Sequence, residues 1–190
     1  YGEIVVSYPD VTPYSLRKPF YRITALTQGA IEDVMISPRV APQLSGMGLL
    51  DALSEETILG FADEFDEDQD GISGRPNRIW DIESQRWVVG RFGWKSNEPN
   101  TRQQVAAAFA GDMGITSSLF PEENCPPNVD CESLPNGGEP EIPEDDLGHV
   151  VLYTSSLAVP GRRDWEDQDV LMGKLLFNQL NCSGCHIPKM

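Results

Sequence analysis

The residues with the clearest chemical potential are two cysteines and a histidine near the end of the sequence. Cys182 and Cys185 are separated by two residues and His186 follows at once, which gives the pattern C-x-x-C-H. Two thiols in this pattern can bond to the vinyl groups of a haem while the histidine ligates the iron. A redox-active cysteine pair is expected between a strand and a helix, and half of a zinc site needs two further ligands nearby. The sequence shows neither context around this motif. The pattern therefore predicts covalent haem c, with His186 as the proximal ligand.

The other two cysteines, Cys125 and Cys131, lie in a short segment that is rich in turn-forming residues. Because haem c is attached outside the reducing cytosol, the sequence predicts a periplasmic or otherwise exported protein with a disulfide between these cysteines. Two free thiols are the alternative. An active dithiol is a third interpretation, but five intervening residues that include two prolines suit a structural clamp better than an exchanging pair.

A second candidate site is an acidic loop with the pattern D-x-D-x-D-G. Carboxylates at alternate positions can converge on a hard cation, and the glycine permits the sharp turn of such loops. Oxygen ligands favour calcium. An EF-hand loop expects glutamate at its twelfth position, where this sequence has asparagine, so an acidic solvated turn is the alternative. The predicted calcium ligands are Asp66, Asp68, Asp70, Ile72 and Asn77.

The charge of the chain limits its partners. Its 190 residues include 14 Lys and Arg against 30 Asp and Glu, which gives a formal net charge of −16. A phosphate backbone would repel such a chain, so the composition argues against nucleic-acid binding. No apolar run approaches the roughly 20 residues that a membrane-spanning helix needs, so no membrane span is expected. The length is typical of one or two compact domains.

The haem motif and the acidic loop must be positioned by the elements around them. Glu3–Tyr8 and Tyr21–Leu26 have the composition of strands, with a proline-rich turn between them. Ser54 is a typical N-cap for a helix from Glu55 to about residue 64, which leads into the acidic loop. The other predicted elements are a hairpin over Ile79–Trp94 and helices over Thr101–Phe109, Glu144–Leu157 and Asp167–Leu180.

Six motifs follow one another along the chain: Ser37–Pro42, Asp70–Asn77, Arg91–Lys95, Asp112–Thr116, Val159–Arg163 and Cys182–His186. Together they resemble the bacterial di-haem oxidoreductase family, and the resemblance covers nearly the whole chain. Family members carry another C-x-x-C-H before the region that starts here and continue beyond the second one. The resemblance therefore implies that this chain is the middle portion of a longer protein with two haems.

The predicted helices and the resemblance together favour a mainly α protein with irregular loops and a few short strands, in which a cytochrome c-like helical domain of a di-haem peroxidase-like protein holds the haem. We expect three parts along the chain. Residues 1–50 complete an upstream domain, and residues 51–143 contain the calcium loop, the hairpin and the active-site helix. Residues 144–190 begin the second cytochrome c-like haem domain.

A more distant similarity, to the bacterial di-haem cytochrome c peroxidases, implies roles for three further residues. Trp94 and Gln104 are ten residues apart and Asp112 precedes a Met-Gly pair, which is similar to the tryptophan, glutamine and acid of that family. The similarity implies that Trp94 relays electrons between haems, Gln104 orients peroxide and Asp112 moves a proton between the peroxide oxygens. Core packing for Trp94, a solvated helix position for Gln104 and a turn acid for Asp112 are the alternatives.

Two functions follow from these motifs. The leading one is a periplasmic di-haem c-type oxidoreductase that resembles a peroxidase: it reduces hydrogen peroxide with electrons relayed between two haems and supplied by a donor cytochrome or another small redox protein. The alternative is a c-type cytochrome that transfers electrons, or reduces iron for uptake, without turning over peroxide. The two differ in iron coordination, because peroxidase chemistry needs an open or displaceable sixth position.

Overall fold

The structure is a computed structural model that describes residues 1–25, 36–125 and 129–190. The chain divides into two compact units. The first comprises Tyr1–Ala41 with Pro126–Asp130, and the second comprises Pro42–Cys125 with Cys131–Met190. The acidic loop, the predicted active-site helix and the haem motif therefore all belong to the second unit. The three-part division expected from the sequence stays a prediction.

The first unit contains a two-stranded antiparallel hairpin. Strand β1, Gly2–Ser7, pairs with strand β2, Pro13–Lys18, across a tight turn over residues 8–12. The strand predicted over Tyr21–Leu26 is wrong, because residues 21–25 form no regular strand and residue 26 lies outside the described residues. Proline is compatible with the first residue of an edge strand, where its missing N–H is not needed by the ladder. The second strand of the hairpin therefore begins at Pro13, inside the segment that the sequence predicts to be a proline-rich turn.

The helix before the acidic loop begins where the sequence predicts. Helix α2 spans Glu55–Leu59, and Oγ of its N-cap Ser54 accepts a hydrogen bond of 3.1 Å from the backbone N–H of Thr57. The helix ends about one turn earlier than the sequence indicates. Asp63 and Gly74 then form an antiparallel bridge, which closes the acidic loop into a compact turn between them.

The predicted hairpin is present but shorter. Strand β3, Arg78–Asp81, pairs antiparallel with strand β4, Arg86–Val89, so the pairing ends before residues 91–98, which form a separate closed loop. Trp80 and Trp87 lie directly opposite one another in this register, with their rings edge to face at 5.8 Å. Such cross-strand aromatic pairs stabilise a two-stranded sheet.

The core of the second unit lies where two helices pack together. Helix α3, Thr101–Ala108, continues as a π-helical turn over Phe109–Met113, and helix α4 spans Glu144–Ser156. Ala106 of α3 and Leu147 of α4 are both fully buried. The other apolar residues of this cluster are Val105, Phe109, Leu119, Phe120, Ile142, Val150 and Val151.

Helix α1, Met47–Asp51, packs closely against the end of α4. A Cβ atom built on Gly48 would lie 2.1 Å from the backbone oxygen of Ser155, so a residue with a side chain would clash with the backbone of α4. The glycine-rich segment before the acidic loop is therefore a site of close helix packing. The core anchors α3, the helix that carries Gln104.

Helix α5, Gln168–Gln179, leads to the haem motif. None of its residues is buried, although it contains apolar side chains at helical spacing. Asn181 then adopts a left-handed conformation with φ 57°, and a short 3₁₀ turn follows over Cys182–Gly184.

The prediction of a mainly α fold with a cytochrome c-like helical haem domain is wrong. Of the described residues, 30% are helical and 14% are in strands or bridges, and the sheets are two small antiparallel hairpins. The reason is that α1 and α2 have only five residues each, and α5 packs no buried face against a helical domain. Among the described residues, no helix is long and apolar enough to cross a membrane.

Candidate functional site

The C-x-x-C-H motif folds into a single tight turn at the end of α5. The backbone oxygen of Cys182 accepts hydrogen bonds from the N–H of Cys185 at 3.3 Å and from the N–H of His186 at 2.9 Å. Both thiols are free, with Cys182 half-buried and Cys185 exposed. The imidazole of His186 lies 5.8 Å from the ring of Phe177, measured between centroids. Two free thiols and an imidazole are thus presented within one turn of backbone.

Helix α5 supplies an apolar surface beside this turn. Leu180 is 73% exposed and Met172 is 53% exposed, so the helix presents large apolar side chains at its surface. A flat apolar macrocycle fits such a surface, and the adjacent donors fit covalent haem attachment. The exposed apolar residues of this helix and its end are Leu171, Met172, Leu175, Leu176, Phe177 and Leu180.

The acidic loop gathers three carboxylates, one of which the sequence pattern does not include. Oxygens of Asp63, Asp66 and Asp68 all lie within 4.8 Å of one another. Asp63 precedes the D-x-D-x-D-G pattern and joins the group because its bridge with Gly74 closes the loop. The three carboxylates are half-buried or exposed, and exposed acidic groups of this kind also occur without a cation.

The other predicted calcium ligands are placed differently. Oδ1 of Asp70 accepts a hydrogen bond of 2.8 Å from the backbone N–H of Ile72, and Asp70 is not part of the carboxylate group. The side-chain amide of Asn77 donates to the backbone oxygens of Lys95 and Ser96, each at 3.0 Å. Asn77 therefore tethers the closed loop over residues 91–98, and the calcium assignment of all five residues stays a prediction.

Trp94 lies on the closed loop over residues 91–98. Backbone hydrogen bonds between Phe92 and Glu98 close this loop, and Trp94 near its tip is 58% exposed. The guanidinium of Arg91 at its base donates to the backbone oxygens of residues 50, 51 and 53, which ties the loop to the end of α1. The structure thus presents Trp94 at the surface of the described chain on a braced loop.

Gln104 and Asp112 lie on one continuous helical segment but in different environments. Oε1 of Gln104 is buried and has no hydrogen-bond partner within the described part of the chain. Oγ1 of Thr101, one turn earlier on α3, is likewise buried without a partner there. Asp112 lies in the π-helical turn and is exposed. A buried polar atom without a partner is costly, so Gln104 is suited to meeting a donor from a small ligand or water.

The structure also contains an acid and an amide that the sequence patterns do not single out. Glu98 is half-buried, and Nε2 of the buried Gln103 donates to its Oε2 at 3.1 Å. Burial raises the pKa of the Glu98 carboxyl above its usual range, although the hydrogen bond from Gln103 offsets part of this increase. Gln103 also bonds Trp80 and Ile82 of the hairpin region. The signal in the sequence that could have indicated this arrangement is Asn100, a typical N-cap residue. Its side chain caps α3 by accepting a hydrogen bond from the backbone N–H of Gln103.

Cys125 and Cys131 are paired by the fold. Their sulfur atoms lie 2.10 Å apart, at disulfide distance, and the Cα atoms are 6.3 Å apart. Residues 126–128 between them lie outside the described residues. Cys131 is the first residue of the short 3₁₀ turn Cys131–Ser133.

The comparison with known families covers the whole segment in which these features lie. A family described as "Di-haem oxidoreductase, putative peroxidase" matches residues 1–190, the whole of this chain. The chain belongs to the di-haem oxidoreductase family. A search of curated proteins and a search of solved structures found no match. The resemblance seen in the sequence motifs is thereby confirmed.

Membership of the di-haem oxidoreductase family implies haem as the cofactor and a peroxidase-like redox activity. This sequence has four cysteines and a single C-x-x-C-H motif. In this di-haem oxidoreductase chain the motif forms the turn that closes α5.

Proposed function

We propose that this chain is part of a periplasmic di-haem c-type oxidoreductase that reduces hydrogen peroxide with electrons relayed between two haems. The observation that carries the proposal is the turn at the end of α5, where two free thiols and His186 lie beside an uncovered apolar helix. Family membership over the full chain supports the same chemistry.

Three residues would hold the haem. Cys182 and Cys185 would supply the two thiols for thioether bonds, and His186 would supply an imidazole nitrogen as a ligand to the iron. When bound, haem supplies an iron that exchanges electrons and accepts a small oxidant where one coordination position is open. The hydrogen bonds from Cys185 and His186 to the backbone of Cys182 preorganise this donor set.

The roles of the peroxide-binding residues are proposed from the similarity to the bacterial di-haem cytochrome c peroxidases. Gln104 orients hydrogen peroxide, because its buried Oε1 needs a donor and peroxide has O–H groups to give. Asp112 takes a proton from one peroxide oxygen and returns it to the other. Trp94, presented on its braced loop, lies on the electron path between the haems.

Calcium in the acidic loop is part of the same proposal. The grouping of Asp63, Asp66 and Asp68 supports a hard cation with oxygen ligands. The carbonyl oxygen of Ile72 and the side chains of Asp70 and Asn77, the remaining predicted ligands, would have to shift or act through water to contribute. The expected role is structural, since a bound cation would relieve repulsion among these carboxylates.

The proposed location is the periplasm or another exported compartment. Thioether attachment of haem and a disulfide between Cys125 and Cys131 are both compatible with an oxidising environment. The proposed electron donor is a cytochrome or small redox protein, and a net charge of −16 favours a partner with a basic docking surface.

The decisive experiment uses the full-length protein, expressed with cytochrome c maturation machinery. Mass spectrometry should find haem mass on the peptide that contains Cys182 and Cys185. Optical and electron paramagnetic resonance spectra should change on addition of hydrogen peroxide, and the reduced protein should turn it over. Haem without a peroxide response would instead identify a c-type cytochrome that carries electrons or reduces iron, and absence of haem mass would overturn both functions.

A further inference from the structure

The acidic loop contacts the haem-attachment turn through the side chain of Ile72. A Cβ atom built on Gly184 would lie 2.7 Å from Cδ1 of Ile72, so this side chain lies directly against the backbone of the C-S-G-C-H motif. The two residues are more than a hundred positions apart in the sequence, and both belong to the second unit. The contact joins two features that the sequence presents as independent sites.

The backbone around Ile72 is held by carboxylates of the loop. The N–H of Ile72 donates to Oδ1 of Asp70 at 2.8 Å, and the N–H of Gly71 donates to both carboxylate oxygens of Asp66, at 3.1 and 3.2 Å. Gly71 has φ 83°, the left-handed region in which glycine is favoured. These bonds fix the direction in which the Ile72 side chain leaves the loop.

Gly184 matters for its missing side chain rather than for its backbone. It is not among the glycines with positive φ, so its backbone conformation is open to any residue. The space beside it is instead taken by Ile72, with the amide of Asn181 also 3.1 Å from the built Cβ atom. Because α5 buries none of its own residues, a contact of this kind is a means of fixing the turn against the rest of the unit.

We propose that Ile72 is a positioning residue for the haem: its side chain packs on Gly184 and holds the turn that carries Cys182, Cys185 and His186 in the conformation needed for attachment. The proposal rests on the covalent haem proposed above. It concerns the side chain of Ile72, whereas the calcium assignment of this residue concerns its backbone oxygen, so substitutions of the side chain separate the two roles.

The first test replaces Ile72 in the full-length protein. Ile72→Ala removes the contact, so we expect a several-fold loss in the fraction of chains with covalent haem by mass spectrometry. In the chains that do carry haem, the midpoint potential should shift downward, because water gains access to the turn. Ile72→Leu keeps a δ-carbon and should retain both properties. Phe65→Ala is the matched control, because it removes an 82% exposed apolar side chain from the same loop.

The second test moves one methyl group across the contact. Gly184→Ala adds a methyl that displaces Cδ1 of Ile72, and Ile72→Val removes that Cδ1. The double variant conserves the total volume of the contact, and volume-conserving exchanges are tolerated best in packed sites. We therefore expect haem loading and potential of the double variant to lie closer to the wild type than those of either single variant.

Two results would overturn the proposal in distinguishable ways. If the wild type carries haem and Ile72→Ala has the same loading and potential, the covalent haem stands and the positioning role fails. Additive losses in the double variant would likewise exclude a direct contact. If the wild type carries no haem on the motif peptide, the proposed function fails and this inference fails with it.

Discussion

Gln103 donates a hydrogen bond of 3.1 Å from Nε2 to a carboxylate oxygen of Glu98, and the same side chain bonds the backbone of Trp80 and Ile82. Glu98 is therefore held where α3, the hairpin and the closed loop over residues 91–98 meet. Its carboxyl is half-buried, and the pKa is raised by that burial.

The first prediction concerns the dependence of stability on pH. A carboxyl whose folded-state pKa is raised stabilises the fold fully only below its unfolded pKa, and this contribution is lost as pH rises through the folded pKa. Glu98→Gln keeps an acceptor for Gln103 without the buried charge. We expect a higher melting temperature than the wild type at neutral pH, and a difference that vanishes in acid. Glu122→Gln, an exposed acid, is the control for net charge and should show no such pH dependence.

Arg102 provides the second prediction. Its guanidinium pairs with Glu83 beside the hairpin turn at 2.9 Å and with Glu144 at the start of α4. Hydrogen bonds from Ser118 and Arg102 lower the pKa of Glu144. Arg102→Ala should reduce the free energy of unfolding, measured by denaturant titration, because Glu83 and Glu144 both lose their ion-pair partner.

A control for Arg102 is available on the hairpin itself. Arg86→Ala removes the same charge. Nε of Arg86 donates a hydrogen bond of 3.3 Å to the hydroxyl of Ser84, its neighbour in the hairpin turn, and so does not link two distant elements. Equal effects of the two substitutions would mean that net charge, and not the bridge between Glu83 and Glu144, explains the loss.

The third prediction tests calcium. A cation that binds only the folded state raises stability by mass action, by about 2.7 kcal/mol at a hundred-fold excess over Kd. A chelator should therefore lower the melting temperature, and Asp63→Asn and Asp68→Ala should each abolish the response. Glu67→Gln changes the same charge in the same loop outside the carboxylate group and should retain it. If the chelator does not change the melting temperature, the loop binds no calcium and is an acidic solvated turn.

The fourth prediction separates proton transfer from electron relay. General acid–base catalysis contributes about 10² to 10⁴ in rate, so Asp112→Asn should reduce peroxide turnover by that range with haem content unchanged. Trp94→Phe should instead slow electron transfer between haems in stopped-flow traces, with little effect on peroxide affinity. Full peroxidase activity in Asp112→Asn would remove this residue from the mechanism.

The fifth prediction concerns Cys125 and Cys131. Closing a loop of this length removes unfolded-state entropy worth about 2 kcal/mol, so replacing both cysteines by serine should lower the free energy of unfolding by about that amount. Reductant should destabilise the wild type to a similar extent and leave the double variant unaffected. Thiol labelling of the unfolded, unreduced protein at both cysteines would show that no disulfide forms.

Features that depend on neighbouring residues follow from the sequence alone. Side chains within a few residues of one another determine the N-cap at Ser54 and the start of α2. The same holds for the approximate positions of α3, α4 and α5 and for the cysteines and histidine of the C-x-x-C-H motif. Their free energies come from local hydrogen bonds and helical spacing, which a sequence pattern reports directly. The family follows from the sequence for a related reason, because each of its six motifs is a run of consecutive residues.

Only the tertiary structure decides which distant residues meet. Asp63 joins Asp66 and Asp68 because a backbone bridge closes the loop, and Ile72 reaches Gly184 because the second unit folds back on itself. The mainly α expectation fails for the same reason: helical spacing in α5 indicates an apolar face but not whether this chain buries it. Long-range packing and burial arise from contacts whose partners no local pattern specifies, whereas the C-x-x-C-H pattern consists of five consecutive residues.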